Sequence, residues 1–355
     1  MERIPNHNMF ILARESRGLT QVQLKDKMKV SQAVISRVEQ GFLKASDDLI
    51  KNFSDNLQYP ESFFFEPGYR YPPATPFHRK KKALPKRIQS MIEAKANIRR
   101  GHITKLLNAV EFIDTKVRHL DLCEYNDDPS EIARAIRRAW MLPRGPIENV
   151  TKTLENSGII VVFWDFGTPL LDGFTLLTDN APPIIYINSD MSGDRIRFTL
   201  SHELGHVTMH STPTSTMEDE ADLFASEFLM PSDEIGPYLN HTPVNQINLN
   251  RLASLKLYWK ASMAALLKKA SHLKKITYNQ ERYLWSQMAK YGYLKREPVQ
   301  FDLSVEYPSL LQEILDLYSN ELSYSNYELS ELMALHEEEF SELYLPHTQK
   351  LRVVK

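Results

Sequence analysis

Between Phe10 and Leu57 apolar residues recur every three or four positions in short runs, each opened by a capping residue: Thr20 before QVQLKDKM, Ser31 before QAVISRVEQ, Ser46 before DDLIKNFSDNL. That spacing predicts short amphipathic helices. Helices of two or three turns do not stand alone, so they must pack on one another. The connection Met28-Lys29-Val30-Ser31 suits two helices that cross steeply, a helix-turn-helix arrangement in which Val34, Ile35 and Val38 face the core.

The pattern then changes. After Tyr59-Pro60 the stretch ESFFFEPGYRYPPATPFHRKKKALPKR has closely spaced prolines and a basic run from His78 to Lys82, which reads as a linker, with Phe63, Phe64 and Phe65 closing the first domain. Residues 86 to 122 carry a long helical pattern. Three runs at 158–166, 172–178 and 182–190 are rich in β-branched and aromatic residues and predict a small sheet. A helix is expected from about Asp194, and another over 214–231 that stops at Pro231. Beyond Gly236 the spacing is helical, with Met263, Leu266 and Leu267 as core. The acidic stretch from Leu310 to Pro346 is either a solvated face or a surface for a partner.

The fold class expected is multidomain and mainly α: an all-α helix-turn-helix domain, a central α+β domain with a small sheet, and a C-terminal helical domain. The boundaries fall at 1–66, a linker at 67–99, 100–235 and 236–355.

Composition narrows the setting. No run of eighteen apolar residues occurs and the start lacks a secretory pattern, so a cytoplasmic protein without a membrane span is expected. The lone Cys123 excludes an internal disulfide and a thiolate-rich metal site, which leaves His, Asp and Glu as ligands. Residues 1–100 hold 19 Lys+Arg against 10 Asp+Glu, while the remainder is net acidic. A basic front suits a polyanion.

The chemistry concentrates in RFTLSHELGHVTMH. Phe198, His202, His206 and His210 share one helical stripe. His202 and His206, one turn apart, are spaced for two imidazoles to reach one Zn²⁺ at about 2.0–2.1 Å each. Glu203 stands beside them as a proton acceptor for water. Glu218 and Asp222, four apart on the next helix, offer a third ligand and a carboxylate to orient His202. Two alternatives stay open: Ser215 and Glu218 form a capping box, or Glu220 is the ligand. His210 is read as supporting the site or lying on the surface. Gly205 inside the helix implies a close neighbour.

Two resemblances complete the reading. ARESRGLTQVQL followed by VSQAVISRVEQG resembles the xenobiotic-response-element and Cro type of DNA-binding domain across residues 8–60. That resemblance implies that Gln32, Ala33, Ser36 and Arg37 approach base edges of double-stranded operator DNA in the major groove, that Gln21 holds a phosphate, and that the protein pairs as a homodimer. RIRFTLSHELGHVTMH followed by EDEADLFASEFLMP resembles the ImmA/IrrE family of zinc metallopeptidases over roughly 100–235, with Asp222 where asparagine is common. The family implies zinc on His202, His206 and Glu218, Glu203 as catalytic base, and cleavage of a partner protein, a small repressor. The expected function is a DNA-binding regulator with a zinc endopeptidase. The rival is a repressor or antitoxin-like regulator whose metallopeptidase fold only senses or scaffolds.

Overall fold

The computed structural model describes residues 3–68, 84–112, 115–178, 181–240 and 246–345. The chain forms two compact units, one of Met1–Pro72, Ala83–Phe112 and Ser309–Lys355, the other of Pro73–Lys82 and Ile113–Pro308. In chain order the helices are α1 (His7–Ser16), α2 (Gln21–Met28), α3 (Gln32–Glu39), α4 (Asp47–Leu57), α5 (Lys86–Leu107), α6 (Pro129–Ala139), α7 (Val150–Glu155), α8 (Gly193–Met209), α9 (Met217–Leu229), α10 (Ser232–Ile235), α11 (Leu249–Trp259), α12 (Met263–His272), α13 (Tyr278–Lys290), α14 (Leu310–Asn320), α15 (Asn326–Leu332) and α16 (Glu337–Tyr344). Three strands, β1 (Ile160–Trp164), β2 (Gly173–Thr178) and β3 (Ala181–Asn188), lie between α7 and α8. A mainly helical chain with one small sheet is the class the sequence implies.

The first unit is built by its caps and its aromatics. Thr20 caps α2 in a capping box with Gln23, Ser31 caps α3 and Ser46 caps α4, each accepting a backbone N–H of the first turn. Phe10, Phe53, Phe63 and Phe64 meet in the core, with Phe10 stacked on Phe64 at 4.7 Å. Ile35 and Val38 are buried with them, whereas Val34 is only half-buried and stays outside that core. A buried Arg14–Glu39 pair at 2.6 Å ties α1 to α3.

Two boundaries differ from the sequence reading. Helix α5 begins at Lys86, where the helical pattern starts, and ends at Leu107; Ala94, Ile98 and Leu106 pack it with α1 in the first core, so it belongs to the first unit and the linker does not extend to residue 99. The basic run His78–Lys82 lies outside the described residues. The expected C-terminal helical domain is divided. Ile314, Leu315, Tyr318, Met333 and Phe340 bury in the first core, so the apolar stripe of the acidic stretch is internal rather than a partner surface. Arg17 makes a two-pronged pair with Glu339 at 2.8 Å, and the Tyr344 hydroxyl lies 2.7 Å from His102 Nδ1. Residues 249–308 belong instead to the second unit.

In that second unit β3 is the central strand, parallel to β1 with Ile160 opposite Ile184 and antiparallel to β2 with Thr175 opposite Ile185. From Ile184 to Ile187 every residue is buried, the continuous apolar run of a strand covered on both faces. Helix α8 packs against β2, β3 and α9. Two glycines permit this. A Cβ on Gly173 would sit 2.9 Å from Thr199 of α8, and one on Gly205 would sit 3.1 Å from the Phe224 ring and 3.4 Å from Ala221 of α9. Buried ion pairs bind the later helices to this frame: Lys256 with Asp194 at 2.8 Å and Glu297 at 2.7 Å, and Lys269 with Glu227 at 2.6 Å. Met263, Leu266 and Leu267 lie in the same core as Leu200 and Leu204.

Candidate metal centre

Helix α8 is buried along almost its whole length, which forces its polar side chains to find partners inside the protein. Leu200 and Leu204 anchor it in the core, so the opposite stripe of His202, His206 and His210 turns toward α9. The two Nε2 atoms of His202 and His206 lie 3.0 Å apart. Glu218 places one carboxylate oxygen 3.6 Å from His202 Nε2 and the other 3.4 Å from His206 Nε2. These three are brought together in a group able to hold a metal ion.

Helix α9 starts at Met217 with Thr216 at its N-cap and no side-chain cap hydrogen bond, so Glu218 is not engaged in a capping box with Ser215. Glu220 lies elsewhere, 2.9 Å from His210 Nε2. Asp222 lies 2.9 Å from His202 Nδ1. His210 is buried, with its Nδ1 2.9 Å from His206 Nδ1, which makes it an internal partner of His206 and not a surface group.

The donor set fits a divalent cation. His202 gives its Nδ1 to a carboxylate, which directs a bare Nε2 toward a second imidazole and a second carboxylate. Lone pairs and anionic oxygens facing one point repel unless something positive lies among them. Ligand atoms on a tetrahedral zinc with bonds of about 2.0–2.1 Å are about 3.3 Å apart, close to the observed 3.0–3.6 Å.

Glu203, next to His202, is buried, and one of its carboxylate oxygens accepts a 2.8 Å hydrogen bond from the Thr175 hydroxyl on β2. Sequence reasoning missed Thr175, because nothing in DGFTLLT marks which residue faces the helix. His210 carried a signal, its place on the histidine stripe.

With this geometry in place, the comparisons with known families fall where the chemistry lies. Residues 154–271 match the IrrE N-terminal-like domain, and residues 11–64 match a helix-turn-helix domain. The chain fuses a helix-turn-helix domain to an IrrE-type metallopeptidase-family domain. No curated protein matches it. The IrrE-type match spans β1 to α12 and contains all the residues that converge at the metal centre.

On the helix-turn-helix domain the side chains singled out for DNA lie on or beside α3. Gln32, Ala33 and Arg37 are exposed and Ser36 is half-buried, on the side away from Ile35 and Val38. Gln21, at the start of α2, donates to Glu39 at 2.8 Å and accepts from Gln32 at 3.4 Å. Its amide is therefore fixed to α3 beside the first exposed residue of that helix. No helix among the described residues is long and apolar enough to cross a membrane.

Proposed function

We propose that the protein is a cytoplasmic, DNA-bound regulator that cuts a partner polypeptide at a zinc centre, the partner being a small repressor. The observation that carries this reading is the convergence of His202, His206 and Glu218 with Glu203 alongside. His202, His206 and Glu218 hold the Zn²⁺. A zinc ion in this position supplies Lewis acidity toward a peptide carbonyl and toward water. Glu203 accepts a proton from the attacking water and hands it to the departing amine nitrogen. Thr175 holds one Glu203 oxygen in place, leaving the other to face the reacting atoms. Asp222 fixes the His202 ring.

The strand that receives substrate is not β3, since IIYIN is paired on both sides. The outer edge of β2 is the better support: it neighbours Glu203 through Thr175, and its second side has no strand partner among the described residues. An extended chain added there would bind by main-chain hydrogen bonds. In the first unit, α3 enters the major groove with Gln32, Ala33, Ser36 and Arg37, Gln21 reaches a phosphate, and two copies read a two-fold operator.

The test is co-expression with small repressors, read by intact mass, for the native chain and Glu203→Gln. The native chain is expected to cut one of them. The variant keeps its zinc and loses about 10²–10⁴-fold in rate. Undiminished cutting by Glu203→Gln removes the proposed base. A zinc-loaded chain that cuts none of them favours the rival reading of a sensor or scaffold.

A further inference from the structure

The two histidines of the metal centre are backed differently. His202 rests on a carboxylate, Asp222, which accepts only, so its Nδ1 must carry the proton and its Nε2 must present a lone pair. His206 rests on a second imidazole, and an imidazole either donates or accepts. By itself that contact leaves the His206 tautomer undecided. In the wrong tautomer His206 would turn an N–H toward His202 and Glu218, where no cation ligand can carry one.

Glu220 removes the ambiguity from two rings away. Its carboxylate, 2.9 Å from His210 Nε2, accepts only, so the His210 proton sits on Nε2 and the His210 Nδ1 is bare. A bare Nδ1 must receive from its neighbour, so His206 donates from Nδ1 and directs its Nε2 lone pair at the site. Burial makes this chain decisive: the His206 and His210 side chains are 2% and 3% exposed, which leaves little room for water to replace either partner. The His210 backbone N–H is also spent, on the His206 carbonyl.

We propose that His210 and Glu220 are positioning residues that lock the His206 tautomer and so set the affinity of the metal centre. The proposal rests on the metal-binding part of the function put forward above. It also assigns each carboxylate of the first half of α9 that faces α8: Glu218 to the centre, Asp222 behind His202, and Glu220 behind His206 through His210.

Zinc affinity of the purified full chain, measured by competition with a chromophoric chelator, tests this together with the visible absorption of the cobalt(II)-substituted protein. His210→Ala is expected to weaken zinc binding on the order of 10–100-fold and to change the cobalt spectrum. His210→Asn, whose side-chain carbonyl still accepts from His206 Nδ1, is expected to recover most of that loss. Glu220→Gln, which still offers an acceptor to His210, is expected to stay nearer the native value than Glu220→Ala. Native-like affinity and spectrum in His210→Ala would overturn the proposal. So would an Asn variant as weak as Ala, which would reduce His210 to packing. A native chain that takes up no zinc at all would bring down the metal reading itself, and the lock with it.

Discussion

Helices α3 and α8 both carry candidate functional side chains, and they treat them in opposite ways. On the eight-residue α3, Gln32, Ala33 and Arg37 are exposed and only the reverse side is buried. On the seventeen-residue α8, His202, Glu203 and His206 are each no more than 5% exposed. The contrast follows from where the partners come from. Side chains that read a nucleic acid receive their hydrogen bonds from the ligand and stand in water until it arrives. Imidazoles that hold an ion inside a protein must be partnered beforehand, because a buried polar group without a partner costs about 1–3 kcal/mol. Helix α3 therefore needs only a scaffold. Helix α8 needs a second layer, which α9 and β2 supply.

If that division is right, damage to the scaffold should separate the two sites. The largest effect is expected at Phe224, which is fully buried against Gly205 where α9 crosses α8. Phe224→Ala is expected to cost about 3–5 kcal/mol of stability in the second unit. Zinc affinity should fall as well, because α9 carries Glu218, Glu220 and Asp222, while operator affinity should hold. Chemical denaturation, with zinc and DNA titrations on the same sample, distinguishes this from general damage. Equal losses at both sites would show that the two are not independent.

Arg37 supplies the converse. It is exposed on α3 with no ion pair among the described residues. Arg37→Ala is expected to weaken operator binding by about 1–3 kcal/mol, to relax the preference at one base position, and to leave melting and zinc binding unchanged. A salt titration checks the mode of contact. A uniform loss on all sequences would move Arg37 from base reading to phosphate contact.

The same contrast explains what was legible in the sequence. The helix-turn-helix domain was readable almost residue by residue, because caps such as Thr20 and Ser31 and the apolar stripe are local signals. The pairing of His202 with His206 was equally plain, since i and i+4 on one helix is local too. Glu218 and Asp222 required a second helix to arrive in the right rotation, and spacing alone left Glu218, Glu220 and a capping box in competition. Thr175 was invisible: its role depends on β2 lying beside α8, which in turn depends on Gly173 admitting Thr199. The division of residues 236–345 between two cores could not be read either, because helical periodicity reports that a face is buried without saying against what. Leu267 and Leu315 look alike in sequence and lie in different cores.

The histidines of the two units sharpen the comparison once more. His102 on α5 is as buried as His202 and His206, yet its Nδ1 faces the Tyr344 hydroxyl, and the charges around it are the cations Lys105 and Arg99. Burial, reinforced by those two cations, lowers its pKa to about 3 from an unfolded value near 6.5. Between those values the unfolded chain binds a proton that the folded chain refuses. Stability from this group is therefore fully present above about pH 6.5 and declines as the pH falls toward 3, at about 1.4 kcal/mol per pH unit. The expected result is that His102→Gln flattens the acid side of the first unit's stability profile, even if it lowers the plateau. Denaturant melts between pH 4 and 7 measure it, with far-ultraviolet circular dichroism following the whole chain and tryptophan fluorescence, whose sources Trp140, Trp164, Trp259 and Trp285 all lie in the second unit, following that unit alone. An unchanged slope in His102→Gln would mean that the imidazole titrates normally. It would also mean that burial among cations and a phenol does not set it apart from burial among the carboxylates of α9.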